Sequence, residues 1–392
     1  MPETDPERDQ ESEVTGPERE PEVTEAEREP EVTGAGVMRT EGEPFVAAVV
    51  VTYRRQEKLA SALAAVFGQS RPPDAVVVVD NASGDGTAEL VRRRFAAAEL
   101  VELRHNTGGA GGFAAGIVHA LGRGADLLWL MDDDTVPEPG ALAALLSARR
   151  RVPGPPALVA SRVVWTDGRD HPMNTPRVRP GTSPAGRAAA EAAGCVPIRS
   201  ASFVSVLVEA DEVRRSGPPV ADYFLWNDDF EFTLRLLRRR VGVLCRDSVV
   251  VHHTARFGGT ETDPGERFFF EVRNKVWLFT RSRGPSPAER LLYGGSSVRR
   301  WARTFAASGD RATLRRGLAR GLWAGLASRP RPTAAVLAEA SPSRPSPSET
   351  PDSETPVPDA SHPPEPPEPP EPPTRPDVDA PEGPPVDAPD LP

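Results

Sequence analysis

The chain has 392 residues and a formal net charge of −10, yet its acidic charge is concentrated at the two ends. Residues 1–43 carry 15 acidic and 4 basic side chains, and the proline-rich residues 331–392 carry 13 and 3. Residues 44–330 instead carry 40 basic and 29 acidic side chains, which favours anionic ligands and surfaces as partners. Both ends are too poor in large apolar residues to offset the entropy of ordering, so we expect two disordered tails.

Cysteine content and hydrophobic patterning bear on the compartment. Cys195 and Cys245 are the only cysteines, and they lack the paired spacing of a zinc site. Two thiols fit a reducing compartment. The N-terminus is acidic without an apolar run, and no segment has 18 consecutive apolar residues. We therefore expect a cytoplasmic protein with neither a signal peptide nor a membrane span.

Between residues 44 and 131 the hydrophobic pattern alternates between strands and helices. Short apolar runs predict buried strands, and apolar residues spaced three or four apart predict helices. The predicted strands are 46–51, 75–79, 100–103 and 127–131, and the predicted helices are 55–68, 87–97 and 112–121. This alternation predicts a doubly wound α/β fold with a mostly parallel sheet.

Polar clusters follow each predicted strand. They are, in chain order, Thr52 with Arg54, Asp80 with Asn81, residues 106–112, and residues 132–134. In doubly wound sheets, ligands bind beyond the carboxyl ends of the strands, so we expect these clusters to form one site.

The run Asp132-Asp133-Asp134 predicts a metal site. In an extended run Asp132 and Asp134 point the same way, and carboxylates together with diphosphate oxygens suit Mg²⁺ or Mn²⁺. Three adjacent carboxylates also repel one another unless a cation is near. The alternative is an exposed acidic turn, which Pro137 and Pro139 would favour.

The clusters after the second and third strands predict nucleotide contacts. Asp80 could accept a hydrogen bond from the N–H of a uracil or thymine ring, although the turn formers of residues 83–86 also explain this segment. Glycines at 108, 109, 111 and 112 let the backbone approach an anion just before a helix. Their spacing matches neither a dinucleotide fingerprint nor a phosphate loop, which argues against a dehydrogenase and an ATPase.

A second acidic cluster lies at residues 226–231, Trp-Asn-Asp-Asp-Phe-Glu. Asp228 and Asp229 begin a predicted amphipathic helix, a position that the helix dipole favours by itself. The functional alternative is a general base that takes the proton of an acceptor hydroxyl. Further on, a predicted strand ends at His252-His253, and one of these imidazoles could complete a metal shell.

Residues 286–330 predict basic amphipathic helices. Arginines and large apolar residues alternate there: Arg290, Arg299, Arg300, Arg303, Arg311, Arg315, Arg316 and Arg320 with Leu291, Leu292, Trp301, Phe305, Leu314, Leu318, Leu322 and Trp323. This pattern is typical of helices on an anionic membrane surface, and the alternative is that they pack on their own domain with arginines outward. No nucleic-acid motif is present, so we expect no nucleic-acid partner.

In this order, the motifs resemble those of the inverting family 2 glycosyltransferases with the GT-A fold, and most of all the actinobacterial galactofuranosyltransferases that initiate galactan. The resemblance covers residues 44–285, the predicted GT-A domain. Its most specific segments are residues 106–113, 129–134, 226–231 and 263–269 with Arg273-Asn274. The chain has neither the extra N-terminal β domain nor the larger helical C-terminus of the polymerising relatives, which favours an initiating or single-addition enzyme.

The resemblance implies roles by matching position. As metal ligands for Mn²⁺ or Mg²⁺ it implies Asp132, Asp134 and His253, and as catalytic base Asp229. As acceptor contacts it implies Trp226, Asp228 and Glu231. As contacts to the nucleotide sugar it implies Thr52, Arg54, Asp80, Asn81, Asn106, Gly108, Gly109, Gly111 and Asp133.

The implied reaction moves galactofuranose from UDP-galactofuranose, with inversion, to a polyprenyl-diphosphate-linked glycan. The enzyme would then be peripheral on the inner face of the plasma membrane. One alternative is a rhamnosyltransferase that uses dTDP-rhamnose, and the three adjacent aspartates favour the galactofuranose donor over it. The other is a non-catalytic scaffold that binds nucleotide sugars.

Overall fold

The computed structural model describes residues 42–254, 257 and 263–341, which form one ten-stranded sheet and the helices around it. The strands are β1 Val46–Thr52, β2 Ala75–Asp80, β3 Glu99–Glu102, β4 Leu127–Asp132, β5 Thr135–Pro137, β6 Leu158–Val164, β7 Arg177–Val178, β8 Cys195–Ser200, β9 Val206–Glu209 and β10 Gly242–His252. The helices are α1 Gln56–Phe67, α2 Thr87–Arg94, α3 Gly108–Gly122, α4 Ala141–Arg151, α5 Pro184–Ala192, α6 Ala210–Ser216, α7 Asp228–Leu236, α8 Phe268–Thr280, α9 Pro287–Ala307, α10 Arg311–Ala327 and α11 Thr333–Ala340.

The sheet has the strand order β3-β2-β1-β4-β9-β6-β10-β8-β7, with β5 paired to β10. The first four of these strands are parallel, and β10 runs parallel to β6. Strand β9 is antiparallel to both β4 and β6, so β4 and β10 point the same way. The predicted mostly parallel α/β fold is confirmed, and β4 and β10 end at the same edge of the sheet.

Strand β1 is buried along its whole length because helices cover both faces of the sheet. On one face Val46, Ala48 and Val50 pack with apolar residues of α1, α2 and α4. On the other face Ala47 and Val49 pack with residues of α3, α6 and α7. This two-sided burial holds the carboxyl edge of the sheet, where the polar clusters lie, in a fixed position.

The C-terminal helices pack on the domain on one side and are exposed on the other. Gly321 and Gly325 of α10 lie so close to α8 that an added Cβ would meet Val272 Cβ at 2.8 Å and Val276 Cβ at 2.6 Å respectively. The opposite side of α10 exposes Trp323, at 75%, and Leu326, at 62%. No helix within the described ranges has the length and apolar character that crossing a membrane requires.

The C-terminal tail predicted for residues 331–392 begins too early. Residues 333–340 form α11, in which Val336 and Ala340 are buried. Thr333 Oγ1 donates a hydrogen bond to Pro219 O over 3.0 Å, and Arg104 N–H donates to Ala340 O over 2.8 Å. The short apolar segment was hidden in the average composition of a proline-rich region. Residues 1–41 and 342–392, the rest of the two predicted tails, lie outside the described residues.

Candidate active site

Three side chains with metal-binding atoms meet at the carboxyl edge of the sheet. One ligand atom each from Asp132, Asp134 and His252 lies within 4.8 Å of the other two. Asp132 ends β4, and a turn at residues 133–134 leads into β5, which pairs with β10 so that His252 lies opposite Thr135. The His252 Nε2 atom lies 3.0 Å from Asp134 Oδ1. The predicted acidic cluster is therefore completed by a histidine from a distant strand.

The histidine in this cluster is His252, whereas the resemblance implied His253. The His253 side chain is exposed, and its backbone N–H donates to Asp134 O over 2.9 Å. His252 is buried, and its Nδ1 lies 2.8 Å from Asn174 Oδ1. The pairing of His252 with Thr135 sets its side chain beside Asp134, and a bulge between Cys245 and Val249 changes which side of β10 each later residue faces. The assignment of His253 is corrected to His252.

Two cationic side chains from the start of α1 lie beside the aspartates. Arg55 Nη1 is 3.1 Å from Asp133 Oδ1 and 2.9 Å from Asp134 Oδ2, and Lys58 Nζ is 3.3 Å from Asp134 Oδ2. Although burial acts against it, hydrogen bonding and charge from His252, with the charge of Arg55, lower the pKa of Asp134 to about 2. Because Arg55 and Lys58 offset the negative charge, repulsion among the three carboxylates does not by itself require a bound metal ion.

Asp132 differs from its two neighbours because it has no hydrogen-bond or ion-pair partner in the described part of the chain. Burial, together with the charges of Asp134 and Asp133, raises its pKa well above the usual range for a carboxyl group. Asp228 and Asp229 contribute to the same effect, so their carboxylates are near Asp132. A divalent cation would supply the direct partner that this half-buried carboxylate, beside a second carboxylate and an imidazole, does not have among the described residues.

Two residues predicted to contact the nucleotide sugar instead hold the strand ends together. Thr52 Oγ1 donates a hydrogen bond to Asp133 Oδ2 over 2.8 Å, and both residues are buried. Asp133 thereby ties β1 to the turn after β4 and also accepts from Arg55. Their side chains are occupied within the protein and position the turn that carries Asp134.

The segment predicted as a glycine loop is the first turns of α3, which begins at Gly108 rather than at residue 112. Gly111 and Gly112 allow close packing, because an added Cβ would lie 2.3 Å from Thr107 and 2.4 Å from Val51. An added Cβ on Gly109 would meet no atom within 4 Å. Of the predicted glycines, Gly109 is the one with space for a ligand beside it.

Asn81 and Asn106 brace the start of α3. Asn81 Nδ2 donates to Gly108 O over 2.8 Å, and its Oδ1 accepts from Thr107 N–H over the same distance. Asn106 Oδ1 accepts from Gly108 N–H over 2.7 Å. Both side chains, predicted as ligand contacts, have structural partners at the end of β2 and the start of α3.

Asp80 and Arg54 both form hydrogen bonds with Ser83. Asp80 Oδ1 accepts from Ser83 N–H over 3.0 Å, which leaves Oδ2 without a hydrogen-bond partner among the described residues. Arg54 N–H donates to Ser83 Oγ over 2.9 Å, and Arg54 has a left-handed backbone with φ 57°. The free carboxylate oxygen of Asp80 keeps it available as a contact to a base.

The loop before α7 is strained and is held from behind by α8. Phe224, Trp226 and Asn227 have φ values of 63°, 63° and 68°, in the left-handed region that side chains disfavour. The buried Asn274 Nδ2 donates to the carbonyl oxygens of Tyr223, Leu225 and Trp226 over 2.9, 2.8 and 2.9 Å. One amide thus fixes the conformation that brings Trp226 and the start of α7 to the site.

The same loop touches the start of α3. An added Cβ on Gly108, whose φ is 71°, would lie 1.9 Å from Phe224 O, so only glycine fits there. The Ala110 N–H lies 3.3 Å from the same oxygen and donates to it. The predicted nucleotide side and the predicted acceptor side of the site are therefore in direct contact.

A large cavity of about 880 Å³ opens beside α7. Of the residues predicted for catalysis and acceptor binding, Trp226 and Asp229 line it. Asn174, which contacts His252, lines it as well, so one wall of the large cavity adjoins the Asp132–Asp134–His252 cluster. An anionic base, a polar wall and a volume of several hundred Å³ suit a polar substrate of more than one ring.

The two aspartates at the start of α7 differ in environment. Burial and the charge of Asp229 raise the pKa of Asp228, whose side chain does not line the large cavity. Burial raises the pKa of Asp229 to about 6, against the opposing effects of the Phe230 N–H and the Lys275 charge. Asp229 is therefore ionised at neutral pH, and its pKa is close enough to 7 for it to accept a proton as a general base.

Glu231 is not placed as the resemblance implied. It is buried and forms an ion pair with Arg235 over 3.0 Å, and it accepts from Ser282 Oγ over 2.7 Å. It does not line the large cavity. Glu231 lies two residues after Asp229, about half a helical turn, so it points to the opposite side of the helix, where it ties α7 to the segment after α8.

Comparison with known proteins identifies the family. The model of glycosyl transferase family 2 matches residues 47–186. The chain is 38% identical over 268 residues to galactofuranosyltransferase GlfT1 of Mycolicibacterium smegmatis, covering 64% of this chain and 88% of that protein. It is 33% identical over 258 residues to GlfT1 of Mycobacterium tuberculosis, covering 60% and 82%.

The chain belongs to glycosyl transferase family 2. It is therefore a glycosyltransferase with the GT-A fold, which decides against a non-catalytic scaffold. Among solved structures it is similar to Staphylococcus aureus TarS 1-349, at 15% identity and a TM-score of 0.49, over 71% of this chain and 80% of that one.

In this family 2 glycosyltransferase, several residues at the site escaped the sequence analysis. Asn174 lies in an irregular segment between Pro172 and Pro176, where no pattern marks it. Arg55 and Lys58 were assigned only to a helix. Asn274 belongs to one of the segments that carry the family resemblance. Its role could not be predicted, because its three acceptors are distant in sequence.

Proposed function

We propose that this glycosyltransferase moves galactofuranose from UDP-galactofuranose, with inversion, to a lipid-linked glycan of the cell envelope. The observation that carries the proposal is the position of Asp229, on the wall of the large cavity and electrostatically coupled to Asp132 of the acidic cluster. The likeness to the GlfT1 proteins over more than four fifths of their length supports galactofuranose as the sugar.

Asp132, Asp134 and His252 would hold a divalent metal ion. Carboxylates suit Mg²⁺ and Mn²⁺, and imidazole is a ligand of transition metals, so Mn²⁺ suits the whole set. Such an ion would supply positive charge to the departing diphosphate. Asn174 holds the imidazole in orientation through Nδ1, as partners of metal-bound histidines commonly do.

Asp229 would act as the general base. In an inverting transfer one carboxylate takes the proton of the acceptor hydroxyl. The acceptor oxygen then bonds to the anomeric carbon from the face opposite the nucleotide diphosphate, whose bond to the sugar breaks. Burial raises the pKa of both aspartates, and Asp229 is the one whose side chain lines the large cavity. Trp226 is 38% exposed beside the cavity and would stack on an acceptor sugar.

The nucleotide would lie along the ends of β1 and β2. Asp80 Oδ2 is available to accept from the N–H of the uracil ring, and Arg54 and Gly109 lie at the same edge of the sheet. Thr52, Asn81, Asn106 and Asp133 would support that surface through the internal hydrogen bonds described above.

The lipid part of the acceptor would require a membrane surface, and α9 and α10 provide candidates for contact with it. Leu291 of α9 is 81% exposed, and Trp323 of α10 is 75% exposed beside the exposed Arg316 and Arg320. Sedimentation with anionic vesicles tests this assignment. Trp323→Gln should weaken binding, and equal binding to neutral and anionic vesicles would contradict it.

A donor panel tests the reaction. Purified protein with Mn²⁺ and a lipid extract of cell envelopes is given UDP-galactofuranose, UDP-galactopyranose or dTDP-rhamnose, and release of the nucleotide and labelling of the lipid fraction are measured. We expect UDP-galactofuranose alone to label the lipid fraction. Labelling from dTDP-rhamnose instead would overturn the choice of donor.

A further inference from the structure

A second, small cavity of about 50 Å³ lies next to the large one. The two share lining residues, among them Arg177, Lys275 and Arg300. The other residues around the small cavity are aromatic or carry hydroxyl groups: Phe230, Tyr293, Ser296 and Ser297. Within the described part of the chain no carboxylate lines it. Its volume is several times the roughly 10–15 Å³ that one water molecule needs, which suits a polyatomic anion.

Lys275 is buried in this wall, and the Glu271 and Asp229 carboxylates act on its pKa without forming an ion pair with it. Its side chain comes from α8, the residue is 6% exposed, and its Nζ has neither a hydrogen bond nor an ion pair among the described residues. It lies over the Phe230 ring at 4.7 Å from the centroid. Burying an ammonium without a direct partner is costly, so the position favours a ligand that contacts Nζ with a negatively charged oxygen.

Arg177 and Arg300 extend the positive charge around Lys275. Burial lowers the pKa of Lys275 to about 8, against the opposing charges of Glu271 and Asp229. The charges of Arg300 and Arg177 add to the lowering, so both guanidinium groups are close. Arg300 is paired with Glu271, whereas Arg177 contacts only the faces of Phe230 and Tyr293, each at 5.2 Å, within the described residues. Arg177 and Lys275 are therefore two cations in one wall that form no direct ion pair within the described residues.

We propose that Arg177, Lys275 and Arg300 form an anion subsite that binds a phosphate group of the acceptor. Guanidinium and ammonium groups with hydroxyls nearby are the donors that recognise phosphate oxygens. Phe230, which lines both cavities, directly follows Asp229 in sequence, so a phosphate bound in the subsite would anchor the acceptor with its sugars along the large cavity. This inference rests on the proposed function and adds to it the part of the acceptor that the protein recognises.

Paired acceptors test the subsite. Two synthetic acceptors carry the same sugars, one as a short-chain alkyl diphosphate ester and the other as a neutral alkyl glycoside. The ratio of kcat/KM for the two isolates the phosphate contact, because any change in Asp229 affects both acceptors alike. Arg177→Gln and Lys275→Met should each reduce this ratio about tenfold, while Arg187→Gln, an exposed arginine of α5, should leave it unchanged.

Direct binding decides the subsite even if transfer fails. Inorganic pyrophosphate is titrated calorimetrically into wild type and the same three variants in the presence of EDTA. Weaker binding by Arg177→Gln and Lys275→Met than by wild type and Arg187→Gln supports the subsite. Binding and acceptor ratios unchanged in both variants would overturn it. Absence of transfer to either acceptor, with the binding difference intact, would count against the proposed function alone.

Discussion

His252 Nε2 lies 3.0 Å from Asp134 Oδ1, although 118 residues separate them in sequence. The contact exists because β5 folds back from the turn after β4 and pairs with the end of β10. Asn174 contacts the other ring nitrogen, so the imidazole is held on both sides. This geometry makes the carboxyl edge of the sheet a site with two carboxylates and one oriented imidazole.

Replacing this histidine should weaken metal binding. We expect His252→Gln to lower the affinity for Mn²⁺ at least tenfold, because one of three protein ligands is lost. His253→Gln is the matched control, since its side chain is exposed and outside the cluster. Mn²⁺ binding measured by electron paramagnetic resonance distinguishes the two. Equal affinities would contradict the assignment of His252, and a larger loss in His253→Gln would return it to His253.

The pH dependence of transfer should report the ionisation of Asp229. The base works when deprotonated, and its pKa is raised to about 6, so kcat/KM should be level at neutral pH and fall as pH drops below about 6. The Lys275 charge lowers this pKa, so in Lys275→Met the acidic limb should move to higher pH. Profiles of both proteins check this, and a limb that stays in place or moves to lower pH would contradict it.

Asn274 should matter for catalysis more than for nucleotide binding. Asn274→Asp turns a carboxylate towards three carbonyl oxygens and so releases the strained loop before α7. We expect the unfolding free energy to fall by about 1–3 kcal/mol. We also expect kcat to fall by a larger factor than the affinity for UDP. Thr280→Ala on the same helix loses only a hydroxyl contact to Val276 O. Unchanged kcat in a folded Asn274→Asp protein would refute the positioning role.

Truncation should reveal the extent of the folded domain. A chain ending after Ser341 keeps α11, whereas one ending after Pro332 loses Val336 and Ala340 from the surface of α3 and of residues 221–223. Losing this burial should cost at least about 2 kcal/mol and lower Tm by about 4 °C or more. Thermal unfolding of both chains measures it, and equal Tm values would show that α11 contributes nothing.

The sequence predicted the parts of this fold that rest on local pattern. The alternation of buried strands and helices up to β4 follows from apolar periodicity, and the location of Asp132 at a strand end follows with it. The identity of the histidine could not be predicted, because a bulge in β10 and pairing with β5 decide which of two neighbours faces the cluster.

Residues that support the site through internal hydrogen bonds and ion pairs also could not be predicted from the sequence. Asn81 and Asp133 look like ligand contacts by position, but their partners, Gly108 and Thr52, belong to other elements. Glu231 lies in the same motif as Asp229, and only the helix geometry shows that it pairs with Arg235 instead. Such roles depend on tertiary contacts, which a pattern along one segment does not contain.

The Asp229→Asn variant tests the central claim most directly. The substitution preserves shape and removes the base, so with UDP-galactofuranose and the lipid acceptor kcat should fall by about 10²–10⁴, while the Kd for UDP with Mn²⁺ stays within twofold of wild type. A kcat within a few-fold of wild type would contradict the assignment of Asp229 as the base.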